Sequence, residues 1–122
     1  MTLADIRAPD VLSTSPCISD DEIQFLWVTD LREEGLRSGM LIYRGEPCAY
    51  QFVAQREDGM NVYSCYAVLR LTLDQYAQEK KWHEQLRKRG GKGKRIEWWY
   101  KAYRQRESPN YSSCEVIGWF ER

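Results

Sequence analysis

From Glu22 onward, hydrophobic and polar positions alternate. Ile23, Phe25 and Trp27 interleave with Gln24, Leu26 and Val28, which predicts a first strand with those three side chains on one face. The charged stretch from Asp30 to Ser38 contains Gly35 and predicts a connection, with room for one helical turn. Gly39 to Arg44 predicts a second strand, and Gly45, Glu46 and Pro47 a tight turn after it. Cys48 to Gln55 predicts a third strand with Tyr50, Phe52 and Ala54 on one face. Asp58-Gly59 is a hairpin signal between two β-prone runs. Asn61 to Leu71 predicts the fourth strand, alternating Tyr63, Cys65, Ala67 and Leu69 against Val62, Ser64, Tyr66 and Val68.

The period then changes. Thr72 followed by Gln75 fits a capping box, in which each side chain satisfies an orphan amide at a helix start. A helix is expected from Leu73 to about Arg89, stopped by Gly90, Gly91 and Gly93. A second helix is expected from Lys94 to about Gln105, ended by Ser108 and Pro109, and a fifth strand from Tyr111 to Phe120. The expected fold class is therefore α+β: a four-stranded antiparallel meander, two helices and a C-terminal fifth strand, with the helices packed on one face of the sheet. A small, partly open barrel is the alternative. Residues 1 to 20 hold Pro9, Pro16 and the Ser13, Thr14, Ser15 cluster, and read as a loosely ordered N-terminal arm that packs in part. Residues 21 to 122 read as a single domain.

Composition agrees with one folded domain: 43% of the 122 residues are hydrophobic, enough for a core. No run approaches the ~20 apolar residues that span a bilayer. Asp5, Asp10 and Asp20 interrupt the N-terminus, so it does not read as a signal peptide, and the expected location is cytoplasmic. Cys17, Cys48, Cys65 and Cys114 are irregularly spaced, with no CxxC pair, and His83 is the one histidine. Buried reduced thiols are expected, and no metal or other cofactor.

Net charge is zero, but its distribution is lopsided. Residues 1 to 79 hold 6 basic and 13 acidic side chains, residues 80 to 106 hold 11 and 2, and residues 107 to 122 hold 1 and 3. Such segregation allows a localised anion-binding face.

The cationic segment, residues 87 to 106, reads RKRGGKGKRIEWWYKAYRQR. On a helix, Ile96, Trp99, Tyr100 and Tyr103 form an apolar stripe, whereas Trp98 points elsewhere, between Lys94 and Lys101. An indole between two ammonium groups suits a base stacked beside a phosphate backbone; packing against another element is the competing reading. The glycine-rich turn would offer backbone amides and Lys92 near a helix N-terminus, where anions bind. Arg87, Arg89, Lys92, Lys94, Arg95, Lys101 and Arg104 would contact phosphate, and Trp98 would stack. The bland alternatives are a solvated helix end and internal neutralisation of the acidic first half. GGKGKR lacks the GxxxxGK[ST] spacing, so nucleoside triphosphate hydrolysis is not expected.

Other candidates give less. His83 lies among Lys80, Lys81, Glu84 and Arg87 and reads as a surface histidine; as a general base it would be oriented by Glu79. Trp82 and Leu86 form one anchoring arc of the first helix, and Leu73, Tyr76 and Ala77 another. No GxSxG elbow and no cysteine with a local base occurs, so the reading leans away from an enzyme. Tyr43, Tyr50, Tyr63, Tyr66 and Trp27 populate the expected sheet, and an uncovered face would expose aromatics to a protein partner or to a second copy in a homodimer. The leading expectation is a non-catalytic protein that binds an anionic partner, nucleic acid first, through residues 87 to 106. The alternative is a protein-binding adaptor or inhibitor, for example of a nucleic-acid-handling enzyme, that uses sheet aromatics and docks its basic segment on an acidic protein surface. No membrane partner is expected.

Overall fold

The computed structural model describes residues 1–32, 35–90 and 111–122. Five strands, β1 (Ile23–Arg32), β2 (Gly35–Tyr43), β3 (Glu46–Asp58), β4 (Asn61–Arg70) and β5 (Val116–Glu121), pair antiparallel in sequence order. A short helix α1 (Val11–Thr14) precedes them and the long helix α2 (Leu73–Gly90) lies between β4 and β5. The α+β class and the antiparallel meander are as the hydrophobic pattern predicts. The second expected helix, over residues 94 to 105, lies outside the described residues.

Both tight hairpins follow from backbone chemistry. The β2–β3 loop is Arg44-Gly45, both at positive φ (50° and 80°), the pattern of a type I′ turn, which matches the strand twist. The β3–β4 loop is Gly59-Met60, with Gly59 at φ 61°, the left-handed conformation a glycine adopts without steric cost. The connection expected over Asp30 to Ser38 is instead mostly strand. β1 continues to Arg32 and β2 starts at Gly35, because the two pair down to Arg32 and Gly35. Ladder formation outweighs the low β-propensity of that charged stretch.

Two bulges revise the expected faces. One extra residue at Leu26 breaks the register between Phe25 and Trp27, so those side chains point to opposite sides of the sheet. Another at Val53 separates Phe52 from Ala54 in the same way. The alternation in β4 holds: Cys65, Ala67 and Leu69 join one cluster, Tyr66 and Val68 the other.

The sheet curls strongly. Phe25 of β1 and Phe120 of β5 have ring centroids 5.5 Å apart, although their strands are four places apart in the sheet. In a flat sheet those strands would be separated by about 19 Å. The guanidinium carbon of Arg122 lies 4.1 Å from the Phe25 ring centroid, across the same seam. This is the geometry of a small, partly open barrel. Its concave face buries Leu41, Cys48, Tyr50, Tyr66, Val68 and Phe120, with edge-to-face contacts of Tyr50 to Phe25 and Tyr66 and stacking of Tyr66 on Phe120. Tyr50 and Tyr66, two of the sheet aromatics that an uncovered face would expose, are thus turned inward and buried.

The N-terminal segment lies along β5. Trp119 N–H donates to the Pro16 carbonyl (2.9 Å) and Ile18 N–H to the Trp119 carbonyl (2.7 Å), a short parallel pairing that drops Ile18 into the concave cluster. Upstream, Val116 N–H donates to the Met1 carbonyl and Leu3 N–H to that of Cys114. Gly118 is required here: a Cβ on it would lie 2.5 Å from Ile18 Cδ1 and 2.8 Å from the Pro16 carbonyl oxygen. The convex cluster of Met40, Ala49, Val53, Cys65, Ala67 and Leu69 is covered by Val11 of α1, by Tyr111 and Cys114, and by half-buried Leu3, Ile6, Leu12 and Tyr76. The cover expected from two C-terminal helices is therefore supplied in good part by the N-terminal segment.

Candidate functional site: the solvent arc of α2

The capping box that the sequence signals starts α2. Gln75 N–H donates to Thr72 Oγ1 (3.1 Å), and Thr72 N–H donates to Gln75 Oε1 (2.9 Å). Asp74 in the first turn complements the positive end of the helix dipole. The helix buries one arc, made of Gln75, Tyr76, Glu79, Trp82 and His83. Trp27 anchors that arc, stacking on His83 at 4.6 Å with 7° between the rings and on Tyr76 at 6.0 Å with 24°. The bulge at Leu26 is what turns Trp27 toward the helix. The expected two buried arcs thus reduce to one: Leu73 is 85% exposed and Ala77 is exposed. His83, read from sequence as a surface side chain, is half-buried against Trp27.

The opposite arc faces solvent. Leu73, Ala77, Lys80, Lys81, Glu84 and Lys88 are all exposed and follow one another at helical spacing, with the lysines about 10–12 Å apart along the axis from Lys80 and Lys81 to Lys88. Among the described residues, ion pairs join Arg44 to Glu22 (3.2 Å), Arg56 to Glu121 (2.7 Å), and Arg70 to Glu115 (3.2 Å) and Glu46 (3.9 Å). Among the described residues, no ion pair or side-chain hydrogen bond engages Lys80, Lys81 or Lys88. Glu84 lies on the same arc, one acid among three lysines, so the arc keeps a net positive field for a ligand.

Arg87 and Arg89 fall on the last turns of α2, with side chains outside the described residues. Lys92, Lys94, Arg95, Trp98, Lys101 and Arg104 lie outside the described residues altogether. The described part therefore brings Lys80 and Lys81, which lie outside the expected segment, together with Lys88, which lies within it. All three occupy the arc opposite Tyr76, Glu79, Trp82 and His83 on a helical projection, and it is Trp27 that decides which arc is buried.

A second concavity, of about 770 Å³, lies between the N-terminal segment and the end of β5, lined by Cys17, Ile18, Ser19, Asp20, Tyr63, Glu121 and Arg122. Two of its charges are engaged, Glu121 by Arg56 and Arg122 over the Phe25 ring. Arg56 grips Glu121 through two bonds of 2.7 and 2.8 Å and lies 5.0 Å over the Tyr63 ring. These bonds hold the Glu121 carboxyl below its ordinary range and raise the Arg56 guanidinium.

The thiols offer little nucleophilicity. Cys48, Cys65 and Cys114 are buried, and Cys17, expected to be buried with them, is exposed. Burial pushes Cys48 up to about 11 and raises Cys65 and Cys114, while burial and the Glu121 carboxylate raise Cys17, so all four stay protonated at neutral pH. Among the described residues, no His, Cys, Asp and Glu group could hold a metal ion, and no helix is long and apolar enough to cross a membrane. No protein family, no characterised protein and no solved structure matches the chain.

Proposed function

We propose that this protein is a non-catalytic binding protein that engages an anionic partner, nucleic acid before any other, through the solvent arc of α2 and the basic, aromatic segment that continues it. The observation that supports the reading is the exposed arc of Lys80, Lys81 and Lys88, unpaired among the described residues, on a helix that runs into the basic segment. In this reading the helix lysines, together with Arg87, Arg89, Lys92, Lys94, Arg95, Lys101 and Arg104, contact phosphates. Trp98 stacks on a base. A flexible single strand suits the combination, because spaced ammonium groups and an indole need no groove of fixed width.

The test is a titration of the full chain with a labelled single-stranded oligonucleotide at low salt, wild type against Lys80→Glu/Lys81→Glu/Lys88→Glu. Binding by the wild type and a large loss in the variant, with unchanged thermal unfolding, is the expected result. Equal affinities would remove α2 from the site. The runner-up, a protein-binding adaptor or inhibitor, would use the basic surface with the half-buried Tyr43 and Tyr63, since Tyr50 and Tyr66 are buried. It predicts tight binding to an acidic protein with no affinity for the oligonucleotide.

A further inference from the structure

The two ends of the molecule carry complementary exposed surfaces. β3 and β4 run on past the rest of the sheet: the last β2–β3 pair is Ser38 with Gln51, and the last residue of β4 bonded to the β5 side is Ser64, with Arg122. Among the described residues, Arg56–Asp58 and Asn61–Tyr63 therefore pair only with each other, as a protruding two-stranded ribbon. At its tip Met60 is 101% exposed, and Val62, across from Glu57, is 58% exposed. Among the described residues Glu57 and Asp58 are exposed and form no ion pair, while the ribbon's one cation, Arg56, is held by Glu121. The tip is thus apolar and acidic.

The start of α2 is its complement. Leu73 is 85% exposed, and Ala77, Lys80 and Lys81 follow it on the same arc, making an apolar patch continued by unpaired ammonium groups. Within one chain the two surfaces are held apart. β4, the ten-residue strand between Met60 and the approach to Leu73, is about 33 Å long. Only a second molecule can bring them together.

We infer that the ribbon tip of one copy docks on the solvent arc of α2 of another, Met60 and Val62 against Leu73 and Ala77, and Glu57 and Asp58 against Lys80 and Lys81. The contact is head-to-tail, so each copy has one surface of each kind free to continue the assembly. It does not depend on nucleic acid binding, although both would use Lys80 and Lys81.

The experiment is sedimentation of the full chain, without nucleic acid, over a range of concentrations at low and high salt. The expected result is a weight-average mass that rises with concentration from one chain toward two and beyond, and that falls back at ~1 M salt, where screening acts within about 3 Å. Glu57→Lys/Asp58→Lys and Lys80→Glu/Lys81→Glu should each sediment as single chains. Their equimolar mixture should associate again, because every contact between unlike copies then joins opposite charges. Met60→Ser should weaken association without altering unfolding. A wild type that stays monomeric at every concentration would overturn the inference. So would a Glu57→Lys/Asp58→Lys variant that still associates, or a mixture that does not. Oligonucleotide binding is unaffected by the ribbon substitutions under the proposed function, which separates failure of this inference from failure of that reading.

Discussion

Around the curled sheet, Arg44, Arg56 and Arg70 each lie within 4.0 Å of a carboxylate, and Arg122 covers the Phe25 ring. On the outer arc of α2, Lys80, Lys81 and Lys88 stand in solvent without such a partner among the described residues. The sheet uses guanidinium groups, whose planar fork fits a carboxylate at two points, as Arg56 fits Glu121. The helix uses ammonium groups, strongly hydrated and carried on flexible stems. The contrast divides the molecule into a region whose charges serve its own fold and a region whose charges remain available. Of the acidic first half, Glu22 and Glu46 are engaged by sheet arginines, and Glu115 and Glu121 of the C-terminal stretch are engaged in the same way.

If the division is real, damage to the sheet should alter stability, and damage to the helix arc should alter binding. The largest effect is expected for Phe120→Ala. Phe120 is 1% exposed and meets Phe25, Tyr50 and Tyr66 in the concave cluster. The substitution should cost about 3–5 kcal/mol in denaturant unfolding. A much smaller cost would mean that the sheet is not closed over that ring. Gly118→Ala comes next, at about 1–3 kcal/mol, because the new methyl group displaces the Pro16–Ile18 pairing. Faster hydrogen exchange at Ile18 and Trp119 should accompany it; unchanged exchange would show that the N-terminal segment contributes little.

On the binding side, Trp98→Ala should leave unfolding intact and weaken single-strand affinity by about 1–3 kcal/mol. Should it unfold the protein instead, Trp98 belongs to the core. The smallest effect concerns pH. Glu121 has a lowered pKa in the fold because Arg56 donates to it, so the pair's stabilisation is fully present above the ordinary carboxylate pKa of about 4.3. It is lost as pH falls through the lower folded value. The difference in unfolding midpoint between wild type and Glu121→Gln should be constant above about pH 5 and shrink toward zero below that range. A difference independent of pH would assign the effect to packing.

Local chemistry explains what was legible in the sequence. The Thr72–Gln75 capping box appears as read, since it depends on residues three apart. The alternation of β4 and the two glycine-marked hairpins are legible for the same reason. The bulges at Leu26 and Val53 were not, because one inserted residue leaves no compositional mark while it reverses every later side chain. The pairing of Pro16–Ile18 with β5 joins residues about a hundred positions apart, and its one trace is Gly118, unremarkable until its neighbours are known. Of the candidate site, the basic segment was visible as charge alone. The lysine arc of α2 needed the position of Trp27, which decides which side of the helix is buried.

The most direct test is the salt dependence of single-strand binding by the full chain. Affinity measured between about 50 and 200 mM salt should fall linearly on logarithmic axes, with a slope near −0.7 for each phosphate neutralised. Reversing Lys80, Lys81 and Lys88 together should flatten that slope. An affinity indifferent to salt, or a slope the three substitutions leave unchanged, would contradict the assignment of this surface to an anionic polymer.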